Sequence, residues 1–497
     1  MKKLLCYFAA LAVAVSSLQA QTDVVVQIHF LGGDKISTDT SHLGFTNEFC
    51  SAEAKALENQ TLDKLSAAPA IWFKSKLPTG AIDCSKQLRP LLDDLLTSEW
   101  IFEMRDATNG SPEYALAIRL GEQRTRLWST NLRTLIESWT MIRARDTANG
   151  WRLKKDMPPN LFQFSRKGDW VVLDCGQNEL PLGEEIVKST GTAETNWLTA
   201  EVNWPRLAQL YPAFGRFDLP QSMFEVIGEH GTFIINGKLH LSQPLPAPAK
   251  WRVPTDEISQ PFESFTAVRG LAPWLEKQSW YHLFDFKPQP DQFFAWELPK
   301  IPFQTYAAAP VPDAGAALGQ ISKNLTANTN WQDHFIPIKL EVKTNQILFH
   351  ALFITPTIQT THGPEGDYIS AGFFPIPPGS GPLPAQLQDQ LSPPGVVYYN
   401  WEMTSKRLQE LPGLTQFILL ILQKQQLGSD SAGYKWLNKI ASSSEVTVTT
   451  ATEAAPDEIN FVRTGPDGLT AIELIALANW LDSPDFPSLS IPKAQDQ

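Results

Sequence analysis

Histidine, cysteine and acidic side chains carry most of the chemistry open to a chain, and their spacing in this one assembles no compact catalytic motif. The eight histidines stand at 29, 42, 230, 240, 282, 334, 350 and 362, with no pair at the i, i+4 spacing of a zinc-binding helix. One local cluster, Thr361-His362-Gly363-Pro364-Glu365-Gly366-Asp367, brings His, Glu and Asp into a glycine-rich segment of the kind that can wrap a cation in oxygen ligands. Gly-Pro and Gly-Asp are turn formers in their own right, so a solvated turn between two strands is the expected structure there. Glu229-His230-Gly231 sits mid-hairpin, where a satisfied surface histidine is expected rather than a general base. Gly379-Ser380-Gly381 lies in a proline-rich loop and lacks the Gly-x-Ser-x-Gly frame of a nucleophile elbow. Asp93-Asp94 and Glu184-Glu185 offer the residue type of glycoside hydrolysis, but neighbours in sequence point to different sides of an element. Phosphate-cradling and dinucleotide-binding glycine patterns are absent. The sequence therefore assigns no catalytic residue, no cofactor and no metal ligand.

The elements around these residues begin with an export signal. Lys2-Lys3, an apolar run from Leu4 to Val15 and the small-residue stretch ending at Ala20 have the layout of a secretory signal, which would leave a mature chain beginning at Gln21. Cys6 lies inside the apolar run, behind Leu4-Leu5, and is not read as a lipid anchor. No later stretch is long enough to span a bilayer: Phe417 to Leu422, six consecutive apolar residues, reads as a buried helix segment. Three cysteines then remain, Cys50, Cys84 and Cys175, so one intramolecular bridge is the most that can form. Proximity in sequence favours Cys50 with Cys84. Cys175 closes the apolar run Trp170-Val171-Val172-Leu173 and is expected to be a buried, inert thiol.

A chain of 497 residues exceeds one ordinary core, and 43% hydrophobic with 19% charged residues is a globular composition. The net charge of −12 becomes −14 once Lys2 and Lys3 leave with the signal, which argues against nucleic acid or an anionic membrane surface as partner. Periodicity predicts a helix through Leu88, Leu91, Leu92, Leu95 and Leu96, limited at its start by Pro90. From there a sequence of elements occurs twice. In the first half a strand, Tyr114 to Leu120, leads to a helix whose face is Trp128, Leu132, Leu135, Ile136 and Trp139. Then come two strands, the second folded at Lys167-Gly168-Asp169 within Leu161 to Cys175, a short helix near Glu184 to Lys188, and a strand Trp197 to Trp204. In the second half a strand around Phe303 to Ala309 leads to a helix through Ala314, Leu318, Ile321 and Leu325. A strand alternating at Ile336, Ile338, Leu340 and Val342, an arm Ile347 to Ile354, a short helix near Ala385 to Leu391 and a strand Val396 to Trp401 follow.

Both closing strands carry Asn-Trp (Asn203-Trp204 and Asn400-Trp401) followed by Arg-Leu, which adds to the case for an internal duplication. Beyond them, Asn236-Gly237 is the expected turn of a hairpin through Phe233 to Leu241. Val446 to Val462 is a second hairpin, and Thr470 with Glu473 forms a capping box that starts the last helix. Pro244, Pro246, Pro248, Pro254 and Pro261 mark a stiff extended connector. The expected fold class is α+β: two related halves, each a mainly antiparallel sheet with helices packed on one face. Its expected divisions are 1–20 signal, 21–67 N-terminal segment, 68–250 first half, 251–483 second half and 484–497 disordered tail. Sixteen tryptophans, eight before residue 249 and eight after, suit core anchors of two similar halves better than a carbohydrate-stacking surface.

The segments Ser264-Phe265-Thr266-Ala267-Val268-Arg269-Gly270-Leu271-Ala272-Pro273-Trp274-Leu275 and Tyr398-Tyr399-Asn400-Trp401-Glu402-Met403-Thr404 resemble those of large exported bacterial proteins of unknown function with duplicated α+β halves. That resemblance implies a periplasmic or extracellular address and brings no catalytic residues with it. The function expected on these grounds is a non-enzymatic envelope protein that binds or scaffolds an unknown component or small ligand. The alternative is a secreted glycan-acting hydrolase whose carboxylates come from separate strands.

Overall fold

The computed structural model describes residues 24–488 apart from 39–49, 73–77, 79–81, 107–111, 157–160, 177–181, 190–195, 218, 230, 259–261, 277, 279–280, 282–283, 285–286, 300–303, 328–338, 351–353, 378–384, 411–427 and 429. The signal segment, Ile336 and Ile338, the Phe417 to Leu422 run and Gly379-Ser380-Gly381 lie outside the described residues. The chain divides into two compact units: residues 1–242 with 430–436 and 476–497, and residues 243–429 with 437–475.

The first unit is an open antiparallel sheet of ten strands: β1 (Val24–Phe30), β2 (Trp100–Arg105), β3 (Glu113–Arg119), β4 (Arg145–Thr147), β5 (Gly150–Lys154), β6 (Leu161–Lys167), β7 (Trp170–Gly176), β8 (Leu198–Val202), β9 (Gln221–Glu229) and β10 (Thr232–His240). Their pairings give the order β4-β5-β6-β7-β3-β2-β1-β8-β9-β10. Its helices are α1 (Gly33–Thr38), α2 (Ala52–Trp72), α3 (Ser85–Thr97), α4 (Glu122–Thr140), α5 (Leu182–Ser189) and α6 (Trp204–Leu210). The N-terminal segment is thus no appendage. β1 lies inside the sheet between β2 and β8, and the chain turns out of it through Gly32, at φ 95°, where a Cβ would sit 2.6 Å from the Ser98 carbonyl carbon.

Helices cover both faces of this sheet, not one. Tyr114 and Ile118 of β3 join the core that holds Leu91 of α3 and Trp128 of α4, whereas Ala115 and Ala117 meet Leu182 and Ile186 of α5 on the other side. The physical reason is legible in β7, buried at six of its seven positions, as a strand covered on both faces must be. The turn at Lys167-Gly168-Asp169 falls as expected, with Gly168 at φ 61°. Asn236-Gly237 does not turn: both residues lie inside β10, and the hairpin closes at Gly231, φ 84°, between Glu229 and Thr232.

The second unit has its own open antiparallel sheet: β11 (Ser264–Arg269), β12 (Gln292–Glu297), β13 (Thr305–Val311), β14 (Lys339–Val342), β15 (Gln346–His350), β16 (Thr357–Gly363), β17 (Gly366–Gly372), β18 (Val396–Met403), β19 (Val446–Ala455) and β20 (Glu458–Gly465). The order is β14-β15-β16-β17-β13-β12-β11-β18-β19-β20. Its helices are α7 (Ala272–Glu276), α8 (Ala314–Ala327), α9 (Ala385–Leu391) and α10 (404–410), and two more, α11 (Ala432–Ala441) and α12 (Ala471–Asp482), follow in the chain. α8 buries Leu318 and Ile321 against Val311, Ile347 and Ile369, while α9 buries Leu387 and Leu391 in the core of Phe294, Trp296 and Tyr306. The capping box holds: Thr470 N donates to Glu473 Oε2 at 2.8 Å and Glu473 N to Thr470 Oγ1 at 3.4 Å.

The proline-rich connector is irregular chain packed onto the second unit, where Trp251 and Val253 join the core and Leu245 N donates to Pro456 O at 2.7 Å. Two sequence expectations change here. The two Asn-Trp words occupy different places: Asn203 caps α6, accepting from Arg206 N at 3.0 Å, whereas Asn400 sits within β18 and donates to Thr266 Oγ1 at 2.8 Å. The first part of the tail is ordered by Phe486, which packs edge-on against Trp480 at 4.9 Å.

Candidate functional site

In the first unit, α3 and α4 run antiparallel over one sheet face and leave a cavity of about 240 Å³ beneath them. α3 supplies Leu88, Leu91, Leu92 and Leu95; α4 supplies Trp128, Leu132, Leu135, Ile136 and Trp139. The floor is Trp100 and Phe102 of β2, Tyr114 and Leu116 of β3, Phe162 of β6 and Leu173 and Cys175 of β7. Among the described residues no charged side chain lines it. Leucines at i, i+3, i+4 and i+7 build the apolar face of α3, and Trp128, Leu132, Leu135, Ile136 and Trp139 build that of α4. The space exceeds the 150 Å³ engineered apolar cavity that stays dry and admits benzene.

One polar device fixes the helix pair. Asp94, 8% exposed, shares the single Arg124 Nε–H between its two oxygens at 2.9 Å and accepts further bonds from Arg124 Nη2 at 2.7 Å and from the Trp128 indole at 2.7 Å. Arg124 Nη2 also donates to the Pro90 carbonyl at 2.7 Å. Farther along, the crossing rests on neutral bonds: Asn131 to the Gln87 carbonyl at 2.9 Å, and Ile82 N to Ser138 Oγ at 3.1 Å. Asp93, by contrast, points away and binds Arg89 at 2.7 Å, so the two adjacent acids serve different partners.

The other candidates disperse. His29 bonds Glu99 at 3.1 Å, and that buried carboxylate also receives Lys35 and Arg119 at 2.6 and 2.7 Å. Burial opposes its ionisation, but the hydrogen bonds from His29 and Lys35 and the Arg119 charge hold its pKa at about 2. His350 bonds Glu341 at 2.7 Å, His240 ends β10, and His42, His230, His282 and His334 lie outside the described residues. The Thr361 to Asp367 cluster is a hairpin: His362 Nδ1 meets Asp367 Oδ1 at 2.7 Å, Asp367 Oδ2 accepts Ala314 N at 3.2 Å at the start of α8, and the Glu365 carbonyl takes Arg252. Its acids are thus engaged, and among the described residues no group of three or more His, Cys, Asp and Glu is placed to hold a metal. Glu184 pairs with Lys167 at 2.7 Å while Glu185 pairs with Arg105.

The cysteine pairing is not made. All three are free: Cys50 is exposed, whereas Cys84 is buried with its thiol donating to the Ser66 carbonyl at 3.4 Å. Cys175 faces the cavity, and burial pushes its thiol up to about 12, which leaves it unreactive.

Two further concentrations of buried charge were invisible in sequence because their members come from separate strands. On the α5 face, Asp174 is 1% exposed; its Oδ1 accepts Gly183 N at 3.0 Å and its Oδ2 has no partner among the described residues. Burial, then the Glu113 charge, pushes it up to about 7. In the second unit, Arg407 of α10 binds Glu297 at 2.8 Å and also Glu402, while Glu263 stands close by. Burial, followed by the charges of Glu263 and Glu297, raises Glu410 to about 7. Arg407 fastens the ends of β12 and β18, a structural task.

Glycoside hydrolysis needs two carboxyl groups about 5 to 10 Å apart in a substrate cleft. The apolar cavity has none, and a broad polar groove of about 1020 Å³ along Thr125, Ser129, Asn149 and Arg166 has Glu184 alone. Among the described residues no helix is long and apolar enough to cross a membrane. No protein-family model, curated protein or solved structure matches the chain.

Proposed function

We propose that this is an exported, non-enzymatic binding protein of the bacterial envelope, built from two duplicated units, whose first unit holds a small apolar ligand between α3, α4 and the sheet. The observation that carries the reading is the cavity of about 240 Å³ lined without a charged group. Apolar side chains facing such a space lack part of their packing contacts, and an apolar ligand supplies them. The address rests on the basic, apolar and small-residue segments ending at Ala20.

The duplication is supported by ten strands in the same order in each unit, and by a long helix after the third strand with a short one after the seventh, on opposite faces. Glycines at positive φ recur at matched places: Gly32 and Gly270 after the first strand, and Gly168 and Gly366 in the same hairpin, each followed by Asp and an aromatic residue. α8 buries Ala314, Ala317, Leu318 and Ile321, smaller on average than the tryptophan-bearing face of α4.

The test is titration of the mature chain with the uncharged fluorophore phenylnaphthylamine. The reading expects saturable binding that Cys175→Phe, filling the floor, removes while the circular dichroism is kept. Binding unchanged in that variant, or no binding at all, would reject it.

A further inference from the structure

The geometry points to a phosphate site at the edge of the first unit's sheet, where Arg145 of β4 with Arg152 and Lys154 of β5 takes the phosphate monoester of a soluble compound. The site is independent of the cavity, because these three side chains lie on the other face of the sheet.

Strand register sets the cations together. Arg145 stands directly opposite Arg152 in the β4–β5 hairpin, and Lys154 follows Arg152 by two residues, which returns it to the same face. Opposed side chains have Cβ atoms about 4.5–5.5 Å apart, and Lys154 stands about 7 Å farther along the strand. All three are exposed, while Trp151 and Leu153 between them are buried in the core beneath α4. The row that starts at Arg145 and Arg152 continues through Gln163 to Asp174, so it lies on the face that carries α5. α5 packs on β2, β3 and β7, and leaves these positions of β4 and β5 open.

Like charges directly opposite each other destabilise a strand pair. Among the described residues no carboxylate relieves this one, although Arg105, Arg119, Arg124 and Arg133 of the same unit each hold an acid. The acid of β4, Asp146, is drawn away by Arg133 of α4 at 2.6 Å. Arg152 is held instead by a neutral acceptor: its Nε and Nη2 both donate to Gln163 Oε1, at 2.9 and 2.6 Å, which orients the guanidinium and leaves Nη1 for a ligand. The hairpin at the same place in the second unit's strand order, β14–β15, shows the ordinary arrangement, with Lys343 and His350 both meeting Glu341, at 3.4 and 2.7 Å. A repulsive pair kept in a chain with 53 acidic residues against 41 basic ones breaks a local rule in the way functional sites do. Three cations around one point suit a group with more than one negative charge and three acceptor oxygens, which a phosphate monoester has and a carboxylate lacks. The neighbours on this face, Thr147 and Gln163, are polar and offer an acyl chain no apolar seat, so the phosphate belongs to a soluble compound.

The experiment is phosphorus NMR titration of glucose 6-phosphate with the wild-type protein, Arg145→Gln and Arg152→Gln, beside thermal melts in phosphate and in chloride of equal ionic strength. Saturable binding to the wild type is expected, weakened about tenfold or more in either variant, the worth of one hydrogen bond between charged groups. Phosphate should raise the wild-type Tm above its value in chloride and should lose that effect in both variants. In chloride, Arg145→Gln should melt at or above wild type, because it removes a repulsion. A phosphorus signal unmoved by the wild type, or moved as strongly by both variants, would overturn the site. Arg145→Gln melting several degrees below wild type in chloride would show the arginine pair to be structural and overturn it too. Binding of phosphatidic acid vesicles or of heparin without any response to glucose 6-phosphate would overturn the assignment to a soluble monoester.

Discussion

Replacing Asp94 by alanine should release the helix pair over the cavity, and the structure fixes the size of the effect. The substitution strands two partners of different exposure. Arg124 is 39% exposed along its side chain, so water takes up part of its lost interaction, and the loss falls to about 2 kcal/mol, below the 3–5 of a fully buried pair. Trp128 is 2% exposed, and its indole N–H, left without an acceptor, adds about 1–3 kcal/mol. The sum, about 3–5 kcal/mol, corresponds to a fall in Tm on the order of 10 °C for a unit of this size. Asp94→Asn keeps an acceptor for one partner and should lose about 1–2 kcal/mol, chiefly the charge. Thermal unfolding followed by circular dichroism, with Trp128→Phe as a background that needs no acceptor, separates the two contributions. Asp94→Ala should be milder by about 1–3 kcal/mol in that background. A Tm within 2 °C of wild type for Asp94→Ala, equivalent to less than about 1 kcal/mol, would refute the view that this carboxylate holds α3 on α4.

Other outcomes follow from the same structure. Asp174 is protonated in the folded protein up to about 7 but only up to about 4 when unfolded, so folding takes up a proton between those values, and stability should fall as pH rises through that window. The slope sums to on the order of 4 kcal/mol, and Asp174→Asn should flatten it in urea melts across pH 4 to 8. Thiol titration of a chain starting at Gln21 should find three free sulfhydryls when denatured and Cys50 alone reactive when native, and a count of one would restore the bridge. Gly32→Ala should lose at least about 2 kcal/mol, since φ 95° disfavours a side chain and the new Cβ would meet the backbone of Thr97 to Glu99 at under 3 Å; an unchanged urea midpoint would contradict this.

Much of the fold was legible where local chemistry and tertiary demand agree. The Trp128 to Trp139 face, the Gly168 turn and the Thr470-Glu473 box needed no partner to be read. Where the sheet overrides local preference the reading failed. Asn236-Gly237 is drawn into β10 because Gly231 already turns the chain, and β1 went unread because a strand paired on both sides shows an apolar run too short to tell from loop. Cys50 and Cys84 were paired on sequence proximity, yet Cys84 is buried and Cys50 exposed. The candidate site was half visible. Leu88 to Leu95 and Trp128 to Trp139 were recognised as apolar helix faces, but whether two such faces close on a sheet or stand off from it depends on side-chain bulk across three layers, which periodicity does not encode.

The most direct test of the central claim is a crystal structure of the protein at a resolution that separates water from hydrocarbon. The account predicts continuous non-water density in the cavity beneath α3 and α4, between Leu95 and Trp139. A space filled by ordered water, or closed by Trp128 and Trp139 collapsing onto β3 and β7, would contradict it.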